Sequence, residues 1–199
     1  MKKYLVVTVL TIIAVLSLAF LGCRQRSLGI PGVEPTATFT PTPPPYFLYY
    51  FLDSPAAVSA WTCDAGMTIS YTTSQAYSGT GCAKVDYNMT GTTSIATFRA
   101  NITVSNFTGK TITTHVYVPA ALHAADYQMQ VWFMTSGYSW HNSTYDLNSA
   151  GVTPDAWNTF VFTPVGVGEG AVGSLGVQLE KNGQADISGS FYVDEVIVN

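Results

Sequence analysis

The sequence predicts an all-β fold: an antiparallel β-sandwich, or jelly roll, of about ten strands. Three observations lead to this class. Apolar side chains recur at every second position in short runs, which is the period of a half-buried strand. Gly, Asn, Ser and Pro separate these runs at spacings of roughly 10–15 residues, as in antiparallel sandwiches. No stretch has the period of an amphipathic helix, and only residues 119–125 predict a single helical turn.

The chain divides by composition into three segments. Residues 1–22 have a basic start, MKK, an uncharged apolar run and the ending LG, with Cys23 next, which is the plan of a secretory signal peptide. Residues 23–45 contain six of the ten prolines and predict an extended, disordered linker. Residues 46–199 hold the predicted strands, at 46–52, 67–74, 82–88, 94–102, 111–119, 127–135, 138–147, 157–164, 174–182 and 189–199.

The end of the first segment bears on location. A cysteine stands directly after Gly22, and this arrangement resembles the lipobox of bacterial lipoproteins. The resemblance implies cleavage before Cys23, lipidation of Cys23, and attachment to a membrane through the lipid anchor. An uncleaved anchor over residues 4–21 remains the alternative, since that run is about long enough to span a bilayer. Both readings place residues 46–199 outside the cytoplasm, at the cell surface or on an outer membrane.

Composition limits the partners and the compartment. Twelve acidic residues against eight basic ones give a net charge of −4, which argues against nucleic acid as a partner. Cys63 and Cys82 remain once Cys23 is assigned to lipid, and such a pair is expected to form a disulfide in an oxidising compartment. Two buried free thiols are the alternative, because the connectivity of cysteines cannot be deduced from sequence.

The sequence offers little support for catalysis. It contains no GxSxG, HExxH, P-loop or dinucleotide-binding glycine pattern. His115, His123 and His141 are scattered without the spacing of metal ligands, and most acidic residues stand singly in predicted turns. A glycosidase needs two carboxyl groups across a cleft. We therefore expect a protein that is not an enzyme and that requires no cofactor.

The predicted strand YQMQVWFMT (127–135) has an unusual outer face. Alternation places Met129, Val131 and Phe133 in the core. The opposite face sets a large aromatic residue, Trp132, among amides, where a solvated strand would carry smaller polar or charged residues. Sugars bind to aromatic rings that are flanked by amides and carboxylates. Trp132 is therefore either the floor of a binding site or a packing residue covered by a neighbouring loop.

Six segments occur in an informative order: FLD…W (51–61), SQAYSGTGCAKV (74–85), THVYVP (114–119), AWNTFVF (156–162), LGVQLE (175–180) and FYVDEVIV (191–198). Their order and spacing resemble the jelly-roll carbohydrate-binding modules attached to bacterial glycoside hydrolases, of the galactose-binding-like or cellulose- and xylan-binding type. The resemblance implies non-catalytic binding of a polysaccharide or glycoconjugate. Related sandwiches without sugar binding share the pattern, so a structural or adhesive β-sandwich, with a protein partner or no ligand, remains the alternative.

The resemblance also implies where a ligand lies. In these modules the strands equivalent to 127–135 and 174–182 are neighbours in the concave sheet, so their outward side chains share one surface. Ordinary solvated strand surface is the alternative for each glutamine taken alone. With the outward arginine of 94–102 and two aromatics after Gly137, the predicted ligand-binding residues are Gln128, Gln130, Trp132, Gln178, Glu180, Arg99, Tyr138 and Trp140.

A structural metal is a further implication of the resemblance. Members of that family tie the first and last strands together with calcium, using a Glu near the first strand and an Asp in the last. Asp194 in YVDEV matches the second of these, whereas Leu52 stands where the family has Glu, and Asp53 follows it. The resemblance thus implies a possible structural Ca²⁺ held by Asp53 and Asp194, with simple turn acids as the alternative.

Overall fold

The computed structural model of the chain describes residues 48–64, 66–105, 107–165 and 170–199. The predicted signal peptide (1–22), Cys23 and the linker (23–45) lie outside the described residues. Within the described ranges, no helix is long and apolar enough to cross a membrane.

The described chain contains eleven strands and two short helices. The strands are β1 (Leu48–Tyr50), β2 (Thr62–Cys63), β3 (Met67–Thr72), β4 (Cys82–Met89), β5 (Ile95–Val104), β6 (Ile112–Val118), β7 (Gln128–Thr135), β8 (Trp140–Asp146), β9 (Ala156–Phe162), β10 (Val172–Glu180) and β11 (Ile187–Val198). The helices are α1 (Pro55–Ser59) and α2 (Ala120–Ala124).

These strands form two antiparallel sheets, which confirms the predicted all-β sandwich. The six-stranded sheet has the order β3-β4-β11-β6-β9, and β1 pairs with the C-terminal end of β11. The five-stranded sheet has the order β2-β5-β10-β7-β8. Each sheet turns its apolar face inward, and the core lies between the two faces.

The sequence pattern missed two short elements. β2 has only two residues, too few to show an alternating period. α1 begins after Ser54, whose hydroxyl oxygen accepts a hydrogen bond from the backbone N–H of Ala57 at 3.2 Å, and Pro55 lies in its first turn. The helical turn predicted over residues 119–125 is present as α2.

The inward side chains of β7 pack as their alternation predicts. Met129 and Val131 have 0% of their surface exposed, and Phe133 has 2%. Trp61, just before β2, stacks on Phe98 of β5 with ring centroids 4.5 Å apart. Burial stabilises the fold by about 1.5–3 kcal/mol for each large apolar side chain. The centre of the five-stranded sheet is therefore fixed firmly to the core.

The expected disulfide between Cys63 and Cys82 is not formed, and both residues are free thiols. Cys63 ends β2 in the five-stranded sheet, whereas Cys82 begins β4 in the six-stranded sheet. Each thiol donates instead to a nearby carbonyl oxygen: Cys63 to Met67 at 3.3 Å, and Cys82 to Gln75 at 2.9 Å. Burial raises the pKa of the Cys82 thiol to about 12, so this group stays protonated at neutral pH.

We expect a reducing agent to leave the stability of the protein unchanged. A disulfide that closes a loop of about 20 residues would contribute roughly 3 kcal/mol, and two free thiols make no such contribution. Urea unfolding followed by tryptophan fluorescence should give the same midpoint with and without dithiothreitol. A midpoint that falls on reduction would contradict the free-thiol arrangement.

Candidate ligand-binding face

The register of β10 with β7 decides which side chains share the outer face of the five-stranded sheet. Gln178 is opposite Gln130, and Glu180 is opposite Gln128. Trp132 follows Gln130 on the same side of β7, because side chains alternate along a strand. We call this surface the glutamine face. Its other described members include Thr97, Arg99 and Asn101 of β5, Met134 of β7, Ser174 and Gly176 of β10, and Trp140, Asn142, Thr144 and Asp146 of β8.

A chain of side-chain hydrogen bonds crosses the glutamine face from β5 to β7 and back to β10. The Thr97 hydroxyl donates to Oε1 of Gln178 at 3.5 Å, and Nε2 of Gln178 donates to Oε1 of Gln130 at 3.3 Å. Nε2 of Gln130 then donates to Oε2 of Glu180 at 2.8 Å. Each amide nitrogen carries two N–H groups. One N–H of each glutamine is thus left over for the hydroxyl groups of a ligand.

A second polar pair lies nearer the edge of the sheet. Nε2 of Gln128 donates to Oδ1 of Asp146 at 2.6 Å. Neither Asp146 nor Thr97 was among the predicted ligand-binding residues. The same alternation that places Trp140 and Arg99 outward places these two residues beside them, so the sequence contains the signal that could have found them.

Trp132 lies on the outer face of the sheet, but it is not exposed. Its exposed fraction is 0%, and the ring of Trp140 covers it, with the centroids 4.0 Å apart and the planes 19° apart. Trp132 does not belong to the apolar cluster between the sheets. Its burial is therefore due to cover from the outer side. Of the two roles left open for Trp132, the covered packing residue is the one observed.

The aromatic surface within reach of a ligand belongs to Trp140 and Tyr138. Trp140 is the first residue of β8 and is 39% exposed, and Tyr138 is 82% exposed in the turn before it. Tyr138 has φ of +65°, and its N–H donates to the carbonyl oxygen of Thr135 at 2.9 Å. Few residues other than glycine adopt this backbone conformation. The turn thereby presents the Tyr138 ring to solvent two residues ahead of Trp140.

Arg99 reaches the glutamine face from β5, opposite Gly176. Its Nη1 lies 3.0 Å from Oδ1 of Asp64, and the two side chains are 35% and 42% exposed. An ion pair with this much solvent around it contributes little to stability. The ion pair does balance the charge of Arg99. The negative charges of Glu180 and Asp146 therefore remain on the described part of this face.

The predicted calcium ligands, Asp53 and Asp194, both accept backbone hydrogen bonds from the loop over residues 73–81. Asp194 is fully buried, and its carboxylate accepts backbone N–H groups from Tyr77 and Ser78 at 3.0 Å and from Glu195 at 2.9 Å. Burial raises the pKa of Asp194, and these three bonds oppose the rise. Calcium takes about 6–8 oxygen ligands, whereas no group of three His, Cys, Asp or Glu residues in the described ranges could hold a metal. Through its hydrogen bonds with Tyr77 and Ser78, Asp194 holds the loop over residues 73–81 in place.

Comparison with known proteins bears on the fold. No protein-family model matches the chain, and no curated protein matches it. Solved structures do match. One is a β-sandwich carbohydrate-binding module from work on promiscuous specificity, with a TM-score of 0.61, 20% identity, and coverage of 75% of this chain and 60% of the other.

Two further matches are family 22 carbohydrate-binding modules. A tandem pair from Paenibacillus barcinonensis has a TM-score of 0.52 and 14% identity over 77% of this chain and 45% of the other. A C-terminal module from Clostridium thermocellum, studied for ligand binding in its cleft, has a TM-score of 0.50 and 14% identity over 77% and 91%. The chain spans 60% of the length of the first structure above. At these identities the likeness shows the fold alone, a β-sandwich that these carbohydrate-binding modules also have.

We expect the two stacked indoles to differ in what they contribute to stability. Trp132→Ala removes a fully buried indole and should lower the free energy of unfolding by about 3–5 kcal/mol. Trp140→Ala removes a partly exposed ring and should cost about 0.5–1.5 kcal/mol, the usual value of an aromatic contact. Urea denaturation of both variants measures the difference. Equal losses would contradict the assignment of Trp132 as the covered ring.

Proposed function

We propose that the chain binds a polysaccharide on the glutamine face without catalysis. The observation that carries this proposal is the exposed Trp140 indole, which lies on the same face of the five-stranded sheet as a row of amide and carboxylate groups. A pyranose ring offers apolar C–H faces for stacking on an indole, and its hydroxyl groups both donate and accept hydrogen bonds. The match with carbohydrate-binding modules, at the level of the fold, supports the same function.

The hydrogen bonds within the glutamine face favour a neutral glycan. Gln178 and Gln130 are held by each other and by Glu180, so they would bind a ligand with less loss of side-chain freedom than free glutamines. Glu180 and Asp146 add acceptors for hydroxyl groups. The same two negative charges disfavour a polymer that carries uronate or sulfate groups.

The arrangement of the two carboxylates supports binding over hydrolysis. A glycosidase places a carboxylic acid and a carboxylate on either side of the scissile bond. Here Gln128 stands between Glu180 and Asp146 in the register of the sheet. Each carboxylate also accepts a hydrogen bond from a glutamine of β7. These contacts suit the recognition of hydroxyl groups, so the proposed function has no catalytic step.

The proposed location is outside the cytoplasm, on a membrane, through lipid on Cys23. The sequence LGC and the apolar run before it support this part of the proposal. A tether of this kind would hold the sandwich at the end of the proline-rich segment and let it retain polymer near the cell.

Glycan binding can be tested by affinity electrophoresis of the full chain. The gels would contain soluble β-glucan, xylan, mannan or galactan, with a detergent that lacks a sugar headgroup. We expect at least one polymer to retard the wild-type chain, and we expect Trp140→Ala to weaken that binding about five- to tenfold through the loss of about 1 kcal/mol of stacking.

Trp157→Ala is the matched control, because it removes an indole from β9 of the other sheet, where Trp157 contacts Tyr117 at 5.9 Å between centroids. Its retardation should equal that of the wild-type chain. If no polymer retards the wild type, and tryptophan fluorescence does not respond to oligosaccharides, the structural or adhesive alternative replaces the proposal.

The lipid anchor has a separate test. Cells expressing the full chain would be grown with radiolabelled palmitate, and the purified protein would be examined for label. We expect label on the wild type and none on Cys23→Ala, because the thiol of Cys23 is the proposed site of acylation. Cys63→Ala is the control and should keep the label. Label retained in Cys23→Ala would overturn the lipoprotein assignment.

A further inference from the structure

Two buried polar atoms on the glutamine face have no hydrogen-bond partner. They are the indole nitrogen Nε1 of Trp132 and the hydroxyl oxygen Oγ of Ser174. Trp132 is 0% exposed and Ser174 is 2% exposed. Most buried polar atoms in proteins have a partner, so an atom without one calls for a physical reason.

The two atoms belong to neighbouring positions of the sheet. Gly176 is opposite Trp132, and Ser174 precedes Gly176 by two residues on the same side of β10. Gly176 carries no side chain, so nothing projects outward from β10 between Ser174 and Gln178. Trp132 and Ser174 are therefore the outward residues next to Gly176, one across the strand pair and one along β10.

Trp140 covers the Trp132 ring, and it can move without breaking the sheet. β8 is an edge strand of the five-stranded sheet, and Trp140 is its first residue, directly after the turn that contains Tyr138. Trp140 is 39% exposed, and its contact with Trp132 is a single ring stack. Side chains at such positions change rotamer rapidly. The strand pairing of β8 with β7 does not depend on the position of this ring.

We propose that Trp140 is a lid over a deeper sugar subsite, which opens when the glycan binds. In the bound state Trp140 lies away from Trp132, and one pyranose unit lies along the edge of the Trp132 ring that carries Nε1. A single sugar hydroxyl then accepts a hydrogen bond from Nε1–H of Trp132 and donates one to Oγ of Ser174. This inference rests on the proposed function, and it adds the position of one subsite and the sugar hydroxyl group that binds there.

The chemistry of the two atoms defines the ligand group. The indole nitrogen only donates, whereas a serine hydroxyl both donates and accepts. A free hydroxyl group of the sugar satisfies both atoms at once. A sugar whose hydroxyl at that position is methylated or absent leaves at least one of the two atoms unpaired. The subsite therefore selects an unsubstituted sugar unit.

The test uses two conservative variants of the full chain, Trp132→Phe and Ser174→Ala, in a detergent without a sugar headgroup. Isothermal titration calorimetry would be run with hexasaccharides of β-glucan, xylan, mannan and galactan, taken singly. We expect each variant to bind about five- to tenfold more weakly than the wild type. Neither atom has a hydrogen-bond partner in the free protein. We therefore expect that neither substitution lowers the midpoint of urea unfolding through the loss of a hydrogen bond.

The matched control is Trp157→Phe on the six-stranded sheet, which should bind like the wild type. An independent readout is the indole proton resonance of Trp132, assigned by its loss in Trp132→Phe. This resonance should move downfield on saturation with ligand, because the N–H gains an acceptor.

The outcomes separate the lid from the proposed function. If the wild type binds a hexasaccharide but either variant binds with wild-type affinity, the lid is overturned and the binding function stands. An indole resonance of Trp132 that does not move on saturation overturns the lid as well. If the wild type binds none of the four hexasaccharides, the proposed function fails and the lid fails with it.

Discussion

The pairing of β10 with two neighbours is the constraint on which the glutamine face depends. β10 pairs in antiparallel register with β5 on one side and with β7 on the other. A shift of one residue would turn its outward side chains into the core. Gly176 contributes to this pairing, because a Cβ atom there would collide with the carbonyl oxygen of Phe98. The close approach of β5 and β10 therefore requires glycine, and it places Gln178 where it meets both Thr97 and Gln130.

The hydrogen-bond chain on this register orders the side chains of the glutamine face in the folded protein. A free glutamine side chain loses conformational freedom when it binds, at a cost of about 0.5–1.5 kcal/mol. Gln178 is 8% exposed and is held between Thr97 and Gln130, so much of that loss has already occurred in the folded protein. Glu180 ends the chain with a charged acceptor, which strengthens the last hydrogen bond. The pairing of the strands thereby restrains the side chains that are proposed to bind a sugar.

The sequence predicts the sheets well because their signal is local. Alternation alone identifies the core side of β7 and the outward glutamines, and every strand of three residues or more was expected. The remaining features depend on contacts between distant segments. The cover on Trp132 comes from Trp140 across a turn whose shape rests on the φ of Tyr138, and no periodicity encodes that angle. Cys63 and Cys82 look like a pair in sequence, but in the fold each thiol donates to a carbonyl oxygen of a different residue.

The stacked indoles show a conflict between stability and recognition. The stack itself is worth about 0.5–1.5 kcal/mol, yet it buries the N–H of Trp132 and the hydroxyl of Ser174 without partners, and each such atom costs about 1–3 kcal/mol. Phenylalanine and alanine at these positions would keep much of the packing and avoid that cost. A fold optimised only for stability would therefore not carry these two polar atoms at this place. Because they lie on the surface proposed to bind sugar, beneath a ring on an edge strand, a ligand hydroxyl that pairs them accounts for their presence better than packing does.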